Sequence, residues 1–264
     1  AKLGYYWAHS MLQWKHNLDV WLVSHSGGEV LGHKIHQSLD ELPDKIDYAI
    51  IAVPYKYVPE TLTQCHTKGV KGVTIFTSGF SELGTEDGKE REVEIKTLLD
   101  KYRIRAFGPN CMGLMYPELG FAFNPTAKRL AGDVGFLSQS GGVAIATYTS
   151  GVAGGVGFSK VFSFGNQVDI KPQELLDFLR GDCKTKVVGV YIEGAKNGRE
   201  VLDSLKKTAE KKPVVVLKGG RSNEGSRAAA SHTGALAGKN EIWNAAFRQA
   251  NVLTVDCLED LVAT

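Results

Sequence analysis

The 264-residue sequence is poor in the features that would direct it to a specialised class. Its four cysteines, Cys65, Cys111, Cys183 and Cys257, lie far apart and form no C-x-x-C pair. Spacing therefore suggests neither a zinc site nor a disulfide framework, and a reducing compartment fits best. There is no excess of one charge: 31 Lys plus Arg stand against 29 Asp plus Glu, so the basic footprint that wraps nucleic acid is missing. No stretch approaches the roughly twenty consecutive apolar residues that span a bilayer, and the start lacks the charged region, apolar run and cleavage site of a secretory signal. The expectation is a cytoplasmic protein with no membrane and no nucleic acid among its partners. Five histidines crowd the first 36 residues, His9, His16, His25, His33 and His36. Their spacing gives no H-E-x-x-H or related metal geometry, so a solvated surface and no metal site are predicted. A G-x-G-x-x-G run, an internal repeat and a low-complexity tract are all lacking.

What is present is an alternation of short apolar runs with helical patterns, the signature of parallel sheets with crossover helices rather than of hairpins. The predicted class is α/β. Strands are expected at 19–23, 48–53, 73–76 and 104–107, with helices such as 59–67 and 90–102 between them, making one nucleotide-binding-like unit. A looser stretch at 124–133, carrying Pro125 and Gly132, leads to a second series with strands at 134–137, 158–162, 187–192, 214–217 and 252–255. Its helices are expected at 142–149, 173–179, 200–211 and 241–249, which reads as a doubly wound, flavodoxin-sized domain. The boundary is placed at 128/129, giving domains 1–128 and 129–264. Residues 1–14 read as a helix in which Trp7 and Trp14, seven apart, form a buried stripe. The strand and phosphate-holding turn that ordinarily precede such a helix are not in the sequence. The chain stops within or just after a helix starting near Cys257, so a following domain or a partner chain is expected.

The segment 217–238, LKGGRSNEGSRAAASHTGALAG, leaves a strand and runs through small residues before the next helix. Its one imidazole, His232, sits on a backbone with few steric restraints. An isolated Ser-His-Thr-Gly would read as a surface histidine in a loop. In the GFLSQSGG at 135–142 a strand ends and a helix opens, so the N–H groups of Ser140, Gly141 and Gly142 with the helix dipole offer an anion cradle. Glu193 follows an apolar strand, at the carboxyl edge where ligand sites of α/β sheets gather. Val53 with Pro54, and Ser78 with Gly79, end strands of the first unit, and Asn110 lies in the turn after its fourth strand.

The histidine loop, together with IAVP at 51–54, TSGF at 77–80, GPNCMG at 108–113, GFLSQSGG at 135–142, FGNQVD at 164–169 and YIEG at 191–194, resembles the NDP-forming acyl-CoA synthetases. That is the superfamily of the succinyl-CoA synthetase alpha subunit and the ADP-forming acetyl-CoA synthetases. The resemblance covers nearly the whole chain; each piece alone is weak, and their order and spacing are specific. It implies a Rossmann-like CoA-binding domain followed by a flavodoxin-like domain, and a reaction in which acid, CoA and ATP give acyl-CoA, ADP and phosphate. It implies that His232 becomes phosphorylated, that Glu193 contacts the ring, and that Ser140, Gly141 and Gly142 hold phosphate. CoA contacts are implied at Val53, Pro54, Ser78, Gly79 and Asn110, with Lys2 as the remnant of the diphosphate-holding turn. Cys111 reads as structural, because a covalent cysteine needs an activating base and the family scheme uses the thiol of CoA.

The chemistry agrees with the implied roles. Neutral imidazole is nucleophilic near neutral pH, and its phosphoramidate is a good phosphoryl donor. A carboxylate accepting one ring N–H fixes the tautomer and frees the other nitrogen to attack phosphorus. No ATP-grasp sequence is present, so ATP/ADP and Mg²⁺ are expected on an ATP-grasp domain or beta subunit, in an oligomer that also takes a small carboxylic acid or acyl-CoA. Two other readings compete. A non-catalytic acyl-CoA-sensing module of a protein acetyltransferase commonly loses the loop histidine, which is retained here. A Rossmann oxidoreductase needs the glycine-rich turn that is lacking.

Overall fold

The computed structural model of the protein describes residues 3–13, 18–123, 128–220 and 240–264. His232, Lys2, Trp14 and His16 lie outside the described residues. The architecture is mixed α/β with parallel sheets. A first parallel sheet consists of β4 (Tyr48–Ile51), β5 (Gly72–Ile75) and β6 (Arg105–Phe107), in that order. The crossovers are helices α2 (Val58–Thr67) and α3 (Glu86–Tyr102). Their inward faces, Val58, Leu62 and Cys65 of α2 and Ile95 and Leu99 of α3, close on Ile51, Val73 and Ile75 in one buried cluster. α3 starts four residues earlier than its apolar period predicts, because Thr85 caps it by accepting a hydrogen bond from the Gly88 N–H and Glu86 and Asp87 favour the first turn.

The second sheet runs β12-β11-β10-β8-β9-β7. Its members are β7 (Gly113–Met115), β8 (Ala131–Ser138), β9 (Phe158–Ser163), β10 (Val187–Ile192), β11 (Val214–Lys218) and β12 (Leu253–Val255). β9 and β11 are buried along their whole length, as parallel strands covered on both faces must be. Alternate side chains feed two cores: Val214 and Val216 join one cluster, Val215 and Leu217 the other. The first core receives α5 (Pro172–Gly181), α6 (Gly198–Ala209) and α7 (Asn240–Gln249); the second receives α4 (Gly141–Ala153) and α8 (Leu258–Ala263). The parallel strands follow the flavodoxin-like order, so the direction of winding reverses between β8 and β10.

Two features depart from the expected all-crossover pattern. β2 (Gly28–Val30) and β3 (His33–His36) form an antiparallel hairpin, and β1 (Leu22–Val23) pairs with β3 instead of joining the first sheet. The hairpin turn is Leu31-Gly32 with positive φ at both residues, a two-residue geometry usually advertised by Asn-Gly. Leucine at the first position hides it from sequence. Second, β7 adds antiparallel to β9 as an edge strand, so the chain enters the second sheet on the N-terminal side of the 128/129 boundary.

Helix α1 (Leu3–Gln13) is anchored by Trp7, which is buried as the stripe predicts and packs on Phe76, Phe121 and Phe123. Of the early histidines, His36 bonds Glu41 through Nδ1 at 3.1 Å, and no group of three or more metal-ligating side chains occurs among the described residues. No helix among them is long and apolar enough to cross a membrane. Trp7→Ala, which empties a buried aromatic site, is expected to cost about 3–5 kcal/mol, read as a lower urea midpoint at an unchanged slope.

Candidate active site

The carboxyl edges of the two sheets face each other across a cavity of about 730 Å³. From the first sheet its wall includes Val53 and Pro54 beyond β4, Thr77 and Ser78 beyond β5, and Asn110 beyond β6. From the second come Ser140, Gly141 and Gly142 beyond β8 and Glu193 beyond β10. These last two groups meet at the point where the strand order reverses, the standard ligand position in doubly wound sheets. Of the described residues singled out from sequence, only Gly79 is off the wall. It sits behind Ser78, with a positive φ and Tyr55 so close that a Cβ would stand 2.8 Å from the ring.

The two edges are held by backbone hydrogen bonds that all run one way. The N–H groups of Asn166, Val168 and Ile170 donate to the carbonyls of Pro109, Gly108 and Ala106; within the first unit, the Asn110 N–H donates to the Thr77 carbonyl. Asp169 accepts from the Ala106 N–H at 2.8 Å and from Arg105 Nε at 2.9 Å. Asn166 Nδ2 reaches Glu82 Oε2 at 2.6 Å and Glu92 Oε2 at 2.9 Å, and Lys196 Nζ donates to the Asn166 carbonyl at 2.9 Å. Glu82 in turn accepts from the Gly79 and Phe80 N–H groups, so the loop carrying Ser78 is fixed from the second domain. Asn166 and Lys196 line the cavity, yet sequence reading gave them no role, because amide and ammonium groups in loops are unremarkable until their partners are known.

Helix α4 opens at Gly141, with Ser140 as its N-cap accepting from the Val143 N–H. The N–H groups of Gly141 and Gly142 belong to the first turn, which has no intrahelical acceptor for them. The two glycines differ. A Cβ on Gly141 would lie 2.6 Å from Met112 Cγ, whereas on Gly142 the nearest atom is Ser140 Oγ at 3.8 Å.

Glu193 is held from three sides. Tyr191 donates its hydroxyl to Glu193 Oε1 at 3.1 Å, and the phenol's pKa is raised by burial and by the carboxylate's charge. Lys218 Nζ donates to the Glu193 carbonyl at 2.8 Å, and burial pushes that ammonium below its usual lysine value. The Glu193 and Gly194 N–H groups donate to Gln139 Oε1 at 2.8 and 3.1 Å. The chain leaves β11 for residues 221–239 directly beside this carboxylate: a Cβ on Gly219 would stand 3.2 Å from Glu193 Cγ.

Cys111 touches the cavity but is almost wholly buried, with its thiol 3.9 Å from the Ile75 carbonyl. Burial pushes its pKa up to about 12, which suits a packing residue and opposes a nucleophile.

Comparison with known proteins agrees with this geometry. Residues 131–264 match the model described as the succinyl-CoA ligase like flavodoxin domain, and residues 1–117 match the CoA binding domain. The chain belongs to the succinyl-CoA ligase-like family, with a CoA-binding domain in front of the flavodoxin-like one. It is 44% identical over 237 residues to the acetate–CoA ligase (ADP-forming) II subunit alpha of Pyrococcus furiosus, covering 89% of this chain and 51% of that one. It is 40% identical over 259 residues to the acetate–CoA ligase (ADP-forming) I subunit alpha of the same organism, covering 96% and 56%. Among solved structures, the dinucleotide forming acetyl-coenzyme A synthetase 1 of Ca. Korarchaeum cryptofilum, in complex with phosphate and ADP, superposes with a TM-score of 0.89 at 35% identity. That match covers 99% of this chain and 56% of the other. The chain thus spans about half the length of the curated relatives named here.

Two outcomes follow from the geometry. Iodoacetamide at about pH 8 is expected to modify exposed Cys183 and to leave Cys111 and Cys65, whose pKa is pushed up to about 11, unmodified until the protein unfolds; peptide mass mapping reads this. Gly141→Ala is expected to destabilise by about 1–3 kcal/mol through overpacking against Met112. Gly142→Ala should stay within about 0.5 kcal/mol in the same urea titration.

Proposed function

We propose that this chain is the CoA-binding and phosphohistidine-carrying part of an ADP-forming acyl-CoA synthetase, catalysing acid + CoA + ATP = acyl-CoA + ADP + phosphate. In this reading 1–128 binds CoA and 129–264 is the ligase domain. It acts in the cytoplasm, in an oligomer whose ATP-grasp domain or subunit supplies the nucleotide site and the nucleotide's Mg²⁺. The observation that carries the reading is the meeting, at one cavity, of the helix N-terminus at Ser140–Gly142 and a fixed carboxylate at Glu193, with Gly219, which leads to the segment that holds His232, packed beside that carboxylate.

Each residue then has a task. His232 attacks the γ-phosphorus of ATP, and the phosphorus–oxygen bond to ADP breaks. Glu193 accepts the other ring N–H, fixes the tautomer and stabilises the cationic ring. The acid's carboxylate takes the phosphoryl group from His232, giving an acyl phosphate and free imidazole. The N–H groups of Gly141 and Gly142 receive the phosphoryl oxygens. The CoA thiolate attacks the acyl carbon near Asn110, and phosphate leaves. CoA lies along the first sheet's edge, where the strand ends at Val53, Pro54 and Ser78 let backbone approach the ligand; Gly79 supports that edge from behind, and Lys2 contributes at the diphosphate end. The lining fits such a ligand: toward the first sheet it is small residues with the rings of Tyr55 and Phe76, while the opposite end carries Ser140, Gly141 and Gly142 at the start of α4.

With the chain and its ATP-binding partner, Mg²⁺ and γ-labelled ATP, but without acid or CoA, an acid-labile, base-stable phosphoryl group is expected on His232. Its absence in the parent, or its persistence in His232→Asn, overturns the reading.

A further inference from the structure

Gln139 stands between the two halves of the proposed site and has no role in the scheme above. Its backbone N–H donates to the Tyr191 carbonyl at 3.1 Å, which ties the end of β8 to β10. Its side chain is more than nine-tenths buried yet lines the cavity. The orientation of its amide follows from its partners. Two backbone N–H groups, those of Glu193 and Gly194, point at one terminal atom, and only the carbonyl oxygen of an amide accepts. That atom is Oε1, so the other is the NH₂. Among the described residues Nε2 has no hydrogen-bond partner. Nε2 is not one of the fully buried polar atoms that lack a partner; on a side chain that lines the cavity it can donate to an acceptor bound there.

The neighbouring donors say what that acceptor is. Gln139 directly precedes Ser140, Gly141 and Gly142, whose N–H groups face the same cavity. On the opposite side, its oxygen fastens the backbone of Glu193. We infer that Gln139 is a phosphoryl-binding residue: Nε2 donates to a phosphoryl oxygen in the Gly141–Gly142 cradle while Oε1 holds Glu193 in register with it. The inference rests on the function proposed above and adds a side-chain donor to a cradle otherwise made of backbone. The ligand class is a phosphoryl oxyanion, not the carboxylate of the acid.

Gln139→Glu tests it. The introduced carboxyl keeps one oxygen for the Glu193 and Gly194 N–H groups and replaces the NH₂ donor by a second oxygen. With the full enzyme run from acyl-CoA, ADP and phosphate, the KM for phosphate is expected to rise about tenfold or more, the scale of a lost charge-assisted hydrogen bond. The KM values for ADP and acyl-CoA, and for the acid in the opposite direction, should stay within about twofold, since their contacts are untouched. Should turnover be too slow, ³¹P line broadening on binding of inorganic phosphate gives the same comparison. An unchanged phosphate affinity, a parallel rise in all KM values, or a rise confined to the acid overturns the inference. The label on His232 in the parent decides the underlying reading separately.

Discussion

The site depends on one constraint: two sheets are held carboxyl edge to carboxyl edge by backbone hydrogen bonds that the 166–170 segment donates to carbonyls of the 106–109 segment. Each sheet alone would offer an ordinary ligand edge. Facing each other, they enclose one cavity, in which the proposed reaction brings the CoA thiol from one side to the phosphoryl group on the other. The contact is buried as well as bonded. Val168 packs into the first sheet's core, while Phe107 and Cys111 pack into the second's, so neither core closes without the other. Arg105 adds ion pairs to Asp169 and Glu174. Being half exposed, they contribute little energy but set direction.

That rigidity matters because the proposed chemistry is mostly positioning. A reacting group misplaced by about 1 Å costs orders of magnitude in rate. Asn166 shows how the frame reaches the ligand edge: its amide bridges Glu82 and Glu92, and Glu82 holds the N–H groups of Gly79 and Phe80. The backbone after β5 is thereby set by a side chain from the other sheet. Gly79 belongs to the same device, since only a residue without Cβ leaves room for Tyr55, whose ring carries the Arg91 guanidinium 4.3 Å from its centroid.

Much of this was legible in the sequence. The strands of the second sheet are Val- and Phe-rich runs between helical periods, and β8–β11 and their helices lie where the pattern puts them. So do Ser140, Gly142 and Glu193, because a strand end is also a sheet edge. What escaped was non-local. β7 is three residues long and takes its identity from β9, its partner some fifty residues away. The β2–β3 hairpin turns on Leu31, whose left-handed backbone no propensity favours. Gln139 sat inside a recognised motif without a role, because its task is defined by two N–H groups from another strand. Tyr191 likewise gains meaning only through the neighbour two residues on, which the strand's period turns to the same face. Residues 221–239 are a different matter: His232 was singled out by its sequence setting and lies outside the described residues.

The way the cavity meets negative charge bears on the proposed phosphoryl relay. Among the described residues lining it, the one lysine is Lys196, and its ammonium is engaged by the Asn166 carbonyl and stands 3.5 Å from Glu92. Lys218 is directed at the Glu193 and Gly219 carbonyls behind the wall. Among the described residues, the proposed phosphate end is thus left to N–H dipoles. A helix N-terminus contributes roughly 0.3–1 kcal/mol, up to about 2 when partly buried, whereas each charge-assisted hydrogen bond from an ammonium to phosphate is about twice as strong as a neutral one. Fixed dipoles need no reorganisation as charge moves from acyl phosphate to imidazole and back. A relay is served by that balance: strong enough to orient the phosphoryl group, and weak enough that each carrier can release it.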